Sequence, residues 1–410
     1  GNKFNSKQFI TRMNPTKTYT TVFFLALIAL MTSSCSTKKK TWFHRQYHNT
    51  SAKYNGYFNG NESIKNGIRK LHEKHTDDYT AIIPVFPTGD LKKSEKTAVY
   101  MDRAVKKGSV VIQRHSIKIK GKEYCKWIDD NYLLVGKAYF YKGDFVEAIK
   151  TFRFIKSEYK KNDIYFDASV WLCRSYVEKR DFALAKTELE ELFKNKKFPN
   201  RLNTNLSLVA ADYYIKTQDL NSAAEELKRA AKEIKRKRKK ARLNYILAQI
   251  YQYSNNYSLA QEHYELVLKS NPDYEMAFSA KMNLARSLET GNPDTKKIRA
   301  RLLKMVKDEK NKEYLDQIYF TIAEMDVSSQ DTASAIANYI LSANNSIENN
   351  SQKALSFLAL AEIYFSEKLY KPADTYYDST IFYMQTNFRL YDETYNTHLV
   401  LSELVKNINI

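Results

Sequence analysis

The chain of 410 residues is 43% hydrophobic with only 10 Gly and 7 Pro, which excludes collagen-like and low-complexity chains and argues against a turn-rich β protein. That length can bury a large core, and the abundance of helix formers and Tyr predicts an all-α protein. The net charge of +20 is uneven: residues 1–240 carry 49 Lys+Arg against 25 Asp+Glu, and residues 241–410 carry 17 against 21. A basic N-terminal half predicts an anionic neighbour such as a membrane surface, an acidic protein or nucleic acid.

At the N-terminus, Met13 is a better start than Gly1, so residues 1–12 read as preceding it. The apolar run Val22–Met31 has ten residues. A span of about 30 Å of hydrocarbon needs roughly 20. The run instead fits the core of a secretory signal peptide over residues 1–34. The small residues Thr32-Ser33-Ser34 before Cys35 resemble a bacterial lipobox, although Thr32 stands where Leu is usual. The resemblance implies cleavage before Cys35 and lipidation of its thiol; an ordinary secretory signal and an uncleaved anchor are the alternatives. Acyl chains contribute about 0.8 kcal/mol per buried CH₂, so two or three hold a protein firmly on a bilayer. Ser36 after the cysteine implies the outer membrane. The basic run Lys38-Lys39-Lys40 lacks the acidic surface-export pattern, which implies the periplasmic face. Residues 35–50 then read as a lipidated linker.

Residues 51–125 read as a helical cap, with helices over 51–75 and 91–115 and a loop containing Pro84, Pro87 and Gly89-Asp90. His72 and His75 are three apart on the first helix. With no third ligand nearby they read as surface histidines, and no metal site is expected. Cys125 and Cys173 allow a disulfide in an oxidising compartment, but Cys173 also suits a packed position that needs a small side chain.

From about residue 126 to 390 a helical hairpin recurs about seven times. Small residues stand at Gly136, Cys173, Ala211, Ala248, Ala285, Ala323 and Ala361. Twelve positions later come Ala148, Ala185, Ala223, Ala260, Ala335 and Ala373. This fixed interval, with apolar residues at helical spacing around it, resembles the tetratricopeptide (TPR) pattern. The resemblance implies a right-handed superhelical solenoid of TPR hairpins. In such hairpins only small side chains let the two helices touch at those two positions. Successive copies are 37 or 38 residues apart, about one helical turn beyond the usual repeat of about 34. The fifth copy breaks the pattern, with Lys297 at the second small position and Gly291-Asn292-Pro293 in the turn. Ala300 restores a small residue if three residues are inserted. The sixth copy, with Asp326 in place of Tyr, also reads as degenerate. Residues 391–410 read as a single helix without a following partner.

The TPR pattern points two helix-A positions into a groove for protein partners. The first reads Lys137, Arg174, Asp212, Gln249, Arg286, Glu324 and Glu362, basic to acidic along the array, and the second includes Phe140 and Phe365. Either they meet a partner or they pack against neighbouring superhelical turns. Charge graded in this way sets register and association rate more than affinity. The run Lys235, Arg236, Lys237, Arg238, Lys239, Lys240 reads as a solvated loop or as a docking patch for an acidic protein or lipid headgroups. A secreted chain makes nucleic acid an unsuitable partner. No catalytic motif, small-molecule substrate or cofactor motif stands out, so the sequence predicts a non-enzymatic scaffold.

The segment Trp42-Phe43-His44-Arg45-Gln46-Tyr47-His48-Asn49-Thr50, then Tyr54-Asn55-Gly56-Tyr57-Phe58-Asn59-Gly60-Asn61-Glu62-Ser63, lies just after Cys35, and Trp127-Ile128-Asp129-Asp130 opens the first repeat. Together they resemble the SprE/PorW lipoproteins of Bacteroidota. The resemblance implies an outer-membrane lipoprotein required for type IX secretion and gliding motility, with translocon and periplasmic motor or ring components as partners. Members of that family are longer, so the chain reads as an N-terminal portion. A TPR lipoprotein for outer-membrane protein assembly, or one tethering peptidoglycan, is the competing expectation.

Overall fold

The computed structural model describes residues 37, 39–79, 81–89, 91, 95–287, 295–386, 388 and 390–408. The expected signal peptide, Cys35 and the Gly291-Asn292-Pro293 interruption lie outside these residues. The fold is all-α. Among the described residues the sheet is one small hairpin, β1 (Lys118–Ile119) paired antiparallel with β2 (Lys122–Glu123). The chain divides into two compact units, residues 1–76 with 86–217, and residues 77–85 with 218–410.

The first unit opens with α1 (Trp42–Ser51), a π-helical stretch Ala52–Phe58 and α2 (Asn59–Lys74), which follow one another without a break. The expected linker over 35–50 is therefore helical from Trp42 onward. The π stretch packs closely because of Gly56, where a Cβ would lie 2.5 Å from Asn131 Oδ1 and 2.7 Å from Val111 Cγ2. After α3 (Glu95–His115) come α4 (Ile128–Lys142), α5 (Phe145–Glu158), α6 (Ile164–Lys179), α7 (Phe182–Lys194) and α8 (Asn203–Lys216). One apolar core runs through them, from Ile64, Met101 and Leu134 to Phe152, Leu172, Leu189 and Val209.

The second unit contains α9 (Leu220–Glu233), α10 (Lys237–Tyr253), α11 (Tyr257–Lys269), α12 (Tyr274–Arg286) and α13 (Thr295–Val306). It continues with α14 (Leu315–Ser328), α15 (Thr332–Asn345), α16 (Asn350–Ser366), α17 (Tyr370–Tyr383) and α18 (Tyr391–Ile408). The last helix is packed: Leu401 and Val405 join Ala361, Ala373 and Tyr377 in one apolar cluster.

The paired small residues are buried wherever the pattern holds, with Cys173, Ala185, Ala248, Ala260, Ala323, Ala335, Ala361 and Ala373 fully enclosed. Turn chemistry recurs with them. A residue at positive φ ends helix A at Gly143, Arg180, Gln218, Asn255, Gln330 and Lys368. The next residue precedes helix B, and in four copies it is a side-chain N-cap. Asp144, Asp219, Asn256 and Asp331 accept from the backbone N–H three residues on, at 3.1–3.3 Å. Such a cap is worth about 1 kcal/mol.

Two expectations need correction. In α13 neither Lys297 nor Ala300 takes the small-residue position: both are exposed, and Ile298 and Leu302 face inward. The sixth copy is a regular hairpin, with Ala323 and Ala335 both enclosed. Its buried Asp326 is satisfied by Arg299 Nε at 3.0 Å and Asn338 Nδ2 at 2.7 Å.

Candidate protein-binding groove

The predicted groove residues fall into three groups. In the first unit they are largely covered. Phe140, expected to face a partner, is fully buried in the core, which removes it from any binding surface. The Arg174 guanidinium lies over four rings, 3.7 Å from the Phe86 centroid, 4.7 Å from Phe140, 5.0 Å from Trp171 and 5.6 Å from Tyr141. Such stacking is worth up to about 2 kcal/mol each when desolvated. Here it holds the arginine as a structural post. Lys137 lies over Trp171 at 5.3 Å. Burial lowers its pKa against the opposing pull of Asp167 and Asp130. The buried Asp212 pairs with Lys216 at 2.9 Å, and Lys216 also reaches Glu178 at 3.1 Å. Burial nevertheless raises the Asp212 pKa.

In the second unit Gln249 is spoken for. Its amide nitrogen donates to Ala81 O at 2.5 Å, and its carbonyl accepts from the Ile83 N–H at 3.0 Å. The remaining residues, Arg286, Glu324, Glu362 and Phe365, reach solvent. Arg286 Nε meets Glu324 Oε2 at 2.7 Å, both groups about one-third exposed. The Glu362 carboxyl is pushed above the usual range, first by burial and then by Glu393. Phe365 is 43% exposed and meets Tyr370 edge-on at 5.8 Å. An accessible acidic and aromatic face therefore exists at this end of the array.

The basic run is exposed at all six positions, Lys235, Arg236, Lys237, Arg238, Lys239 and Lys240. Only Lys235 and Arg236 are in a loop; α10 begins at Lys237. Four cations thus occupy the first turn of a helix, where the backbone dipole disfavours positive charge.

Cys125 and Cys173 are both free and buried. Among the described residues no group of three or more side chains is placed to hold a metal ion, and no helix is long and apolar enough to cross a membrane.

Sequence reasoning missed Phe86, which covers Arg174 in the first unit, and Asp77, Tyr79 and Arg242, which meet in the second. A usable signal was the run Ala81-Ile82-Ile83-Pro84-Val85-Phe86, too apolar for a solvated loop.

A tetratricopeptide-repeat family model matches residues 241–274, the hairpin of α10 and α11. No curated protein matches the chain. Among solved structures, human IFIT1 (a dimer with PPP-AAAA) is similar at 16% identity, covering 75% of this chain and 70% of that one with a TM-score of 0.36. The family match shows that the chain contains a TPR hairpin at residues 241–274, and hairpins of that kind serve as protein-interaction scaffolds.

Proposed function

We propose that the chain is a non-enzymatic scaffold lipoprotein, anchored through Cys35 in the outer membrane and facing the periplasm. It serves type IX protein secretion and gliding motility by bridging translocon and periplasmic motor or ring components. The observation that carries this reading is the segment after Cys35. Trp42, Phe43, Tyr47, Tyr54 and Phe58 all stand exposed on the first helical stretch. Core packing does not require that aromatic surface, and aromatic residues dominate the centres of protein interfaces. Deleting the gene should abolish gliding and the export of proteins bearing the matching C-terminal signal. Normal gliding and export in the deletion strain would overturn the proposal. A general fall in outer-membrane β-barrel proteins would point to the assembly role instead.

A further inference from the structure

Residues 77–85 lie in the sequence between stretches of the first unit, yet they pack within the second. Their described residues form no helix or strand. The Ala81 N–H meets Asp78 O at 3.4 Å, and side chains of α10 supply the contacts that follow. Gln249 treats this backbone as a neighbouring strand would, donating to Ala81 O at 2.5 Å and Tyr79 O at 3.4 Å and accepting from the Ile83 N–H at 3.0 Å. Arg242 grips Asp77 in a two-point fork at 2.5 and 2.7 Å. The same guanidinium donates to Pro84 O at 2.7 and 3.1 Å. Tyr79 meets Tyr245 edge-to-face at 5.1 Å. Ile83 and Val85 are buried.

This is how a peptide is recognised. An amide side chain reads main chain regardless of sequence, an arginine fork selects a carboxylate, and a ring edge selects an aromatic. We propose that the face of α10 formed by Arg242, Tyr245 and Gln249 is a binding site for an extended peptide. Residues 77–85 fill it in cis. The partner segment it accepts carries an acidic residue, an aromatic two positions on and an aliphatic four beyond that, as Asp77, Tyr79 and Ile83 do. A tethered occupant competes at high effective concentration, and the apparent affinity for a partner falls by the fraction of time the site stands open. The site is therefore guarded, and a partner must displace the strap. The inference deepens the reading of the chain as a protein-binding scaffold and rests on it.

The test uses a labelled synthetic peptide spanning residues 76–86 and the full chain. The double variant Asp77→Ala/Tyr79→Ala weakens the strap and leaves the receiving face intact. Anisotropy should show it binding the peptide at least about tenfold more tightly than the wild-type chain, and adding Gln249→Ala should reverse the gain. Equal binding by the wild-type chain and the double variant overturns the proposal. Hydrogen exchange on the wild-type chain decides independently of whether the variant folds. The Ile83 amide should exchange at least about a hundredfold faster than core amides such as those of Ala248 and Ala260. Exchange at the core rate would make the strap part of the global fold and overturn the proposal. Either failure leaves partner capture at Glu324, Glu362 and Phe365 as a separate measurement of the scaffold reading.

Discussion

The Cys173 thiol donates to the Ala185 carbonyl oxygen across 3.6 Å, joining residues twelve apart in sequence. The two lie at the paired small-residue positions of one hairpin, so helix A approaches the backbone of helix B. Two substitutions elsewhere test the same geometry. Ala248→Lys places a long side chain where Ala248 is fully enclosed, and should cost about 2–4 kcal/mol in urea unfolding. Gly136→Ala tests the sign. Helix propensity alone favours Ala by about 1 kcal/mol, yet the new Cβ would lie 2.4 Å from a buried Phe152 ring atom. A net loss of about 1–3 kcal/mol is expected; a gain would show that the helices are farther apart.

Thiol chemistry should be silent in the native state. Burial holds both thiols in the neutral form, raising the Cys125 pKa to about 11 and the Cys173 pKa well above its ordinary value. The thiolate is the reactive form. Iodoacetamide should leave Cys173 unmodified until the chain unfolds, and reductant should leave the melting temperature unchanged. A fall in Tm with reductant would reveal a bridge between Cys125 and Cys173.

A histidine pair makes the first unit sensitive to acid. His48 Nδ1 and His115 Nδ1 lie 2.8 Å apart, and Ser51 Oγ is 3.2 Å from His115 Nε2. Burial first, and then the neighbouring His44 for His48 and His48 for His115, lower both pKa values below the ordinary 6.5. The unfolded chain therefore binds these protons first. Their contribution to stability is fully present above pH 6.5 and is lost as the pH falls through the lower folded-state values. Asp130 works in the opposite sense: burial and Asp129 raise its pKa to about 6, so its contribution fades as the pH rises through that value. The difference in urea midpoint between the wild-type chain and His115→Gln isolates the pair. That difference should shift against the wild type as the pH falls from 7 to 5; a pH-independent difference would show that the pair does not titrate in this window.

At the accessible end of the array, binding and stability should separate. The Arg286–Glu324 pair is partly solvated, and such pairs contribute at most about 1 kcal/mol. Glu324→Lys/Glu362→Lys should therefore melt close to the wild type. In a cross-linking pull-down from membranes it should lose partners that the wild-type chain captures, with the largest loss at low salt. Unchanged capture would exclude this face as a docking surface.

The hairpins were legible because two small residues at a fixed interval encode a backbone approach, and that information is local. The occupancy of the groove was not. Arg242 and Asp77 are 165 residues apart, and no periodicity links them. Of the two readings open for Phe140, packing holds: Trp171 and the Arg174 guanidinium cover it, and helix position alone does not encode that cover. Ala300 failed for a different reason. Residue size identified the contact face in regular copies, but in α13 the inward face is set by Ile298 and Leu302, two apolar residues four apart at helical spacing. The acidic and aromatic residues at the far end were read from position alone, and their exposure there follows from the same register.

The hairpin turns give the array a mechanical character. Arg180, Gln218, Asn255, Gln330 and Lys368 each sit at φ between 56° and 67°, where an L-residue holds roughly 1 kcal/mol of backbone strain. Gly143, at φ 85°, holds almost none. Opening one of these five turns releases that strain, whereas opening the turn at Gly143 releases almost none, so among these six turns the one at Gly143 resists opening most.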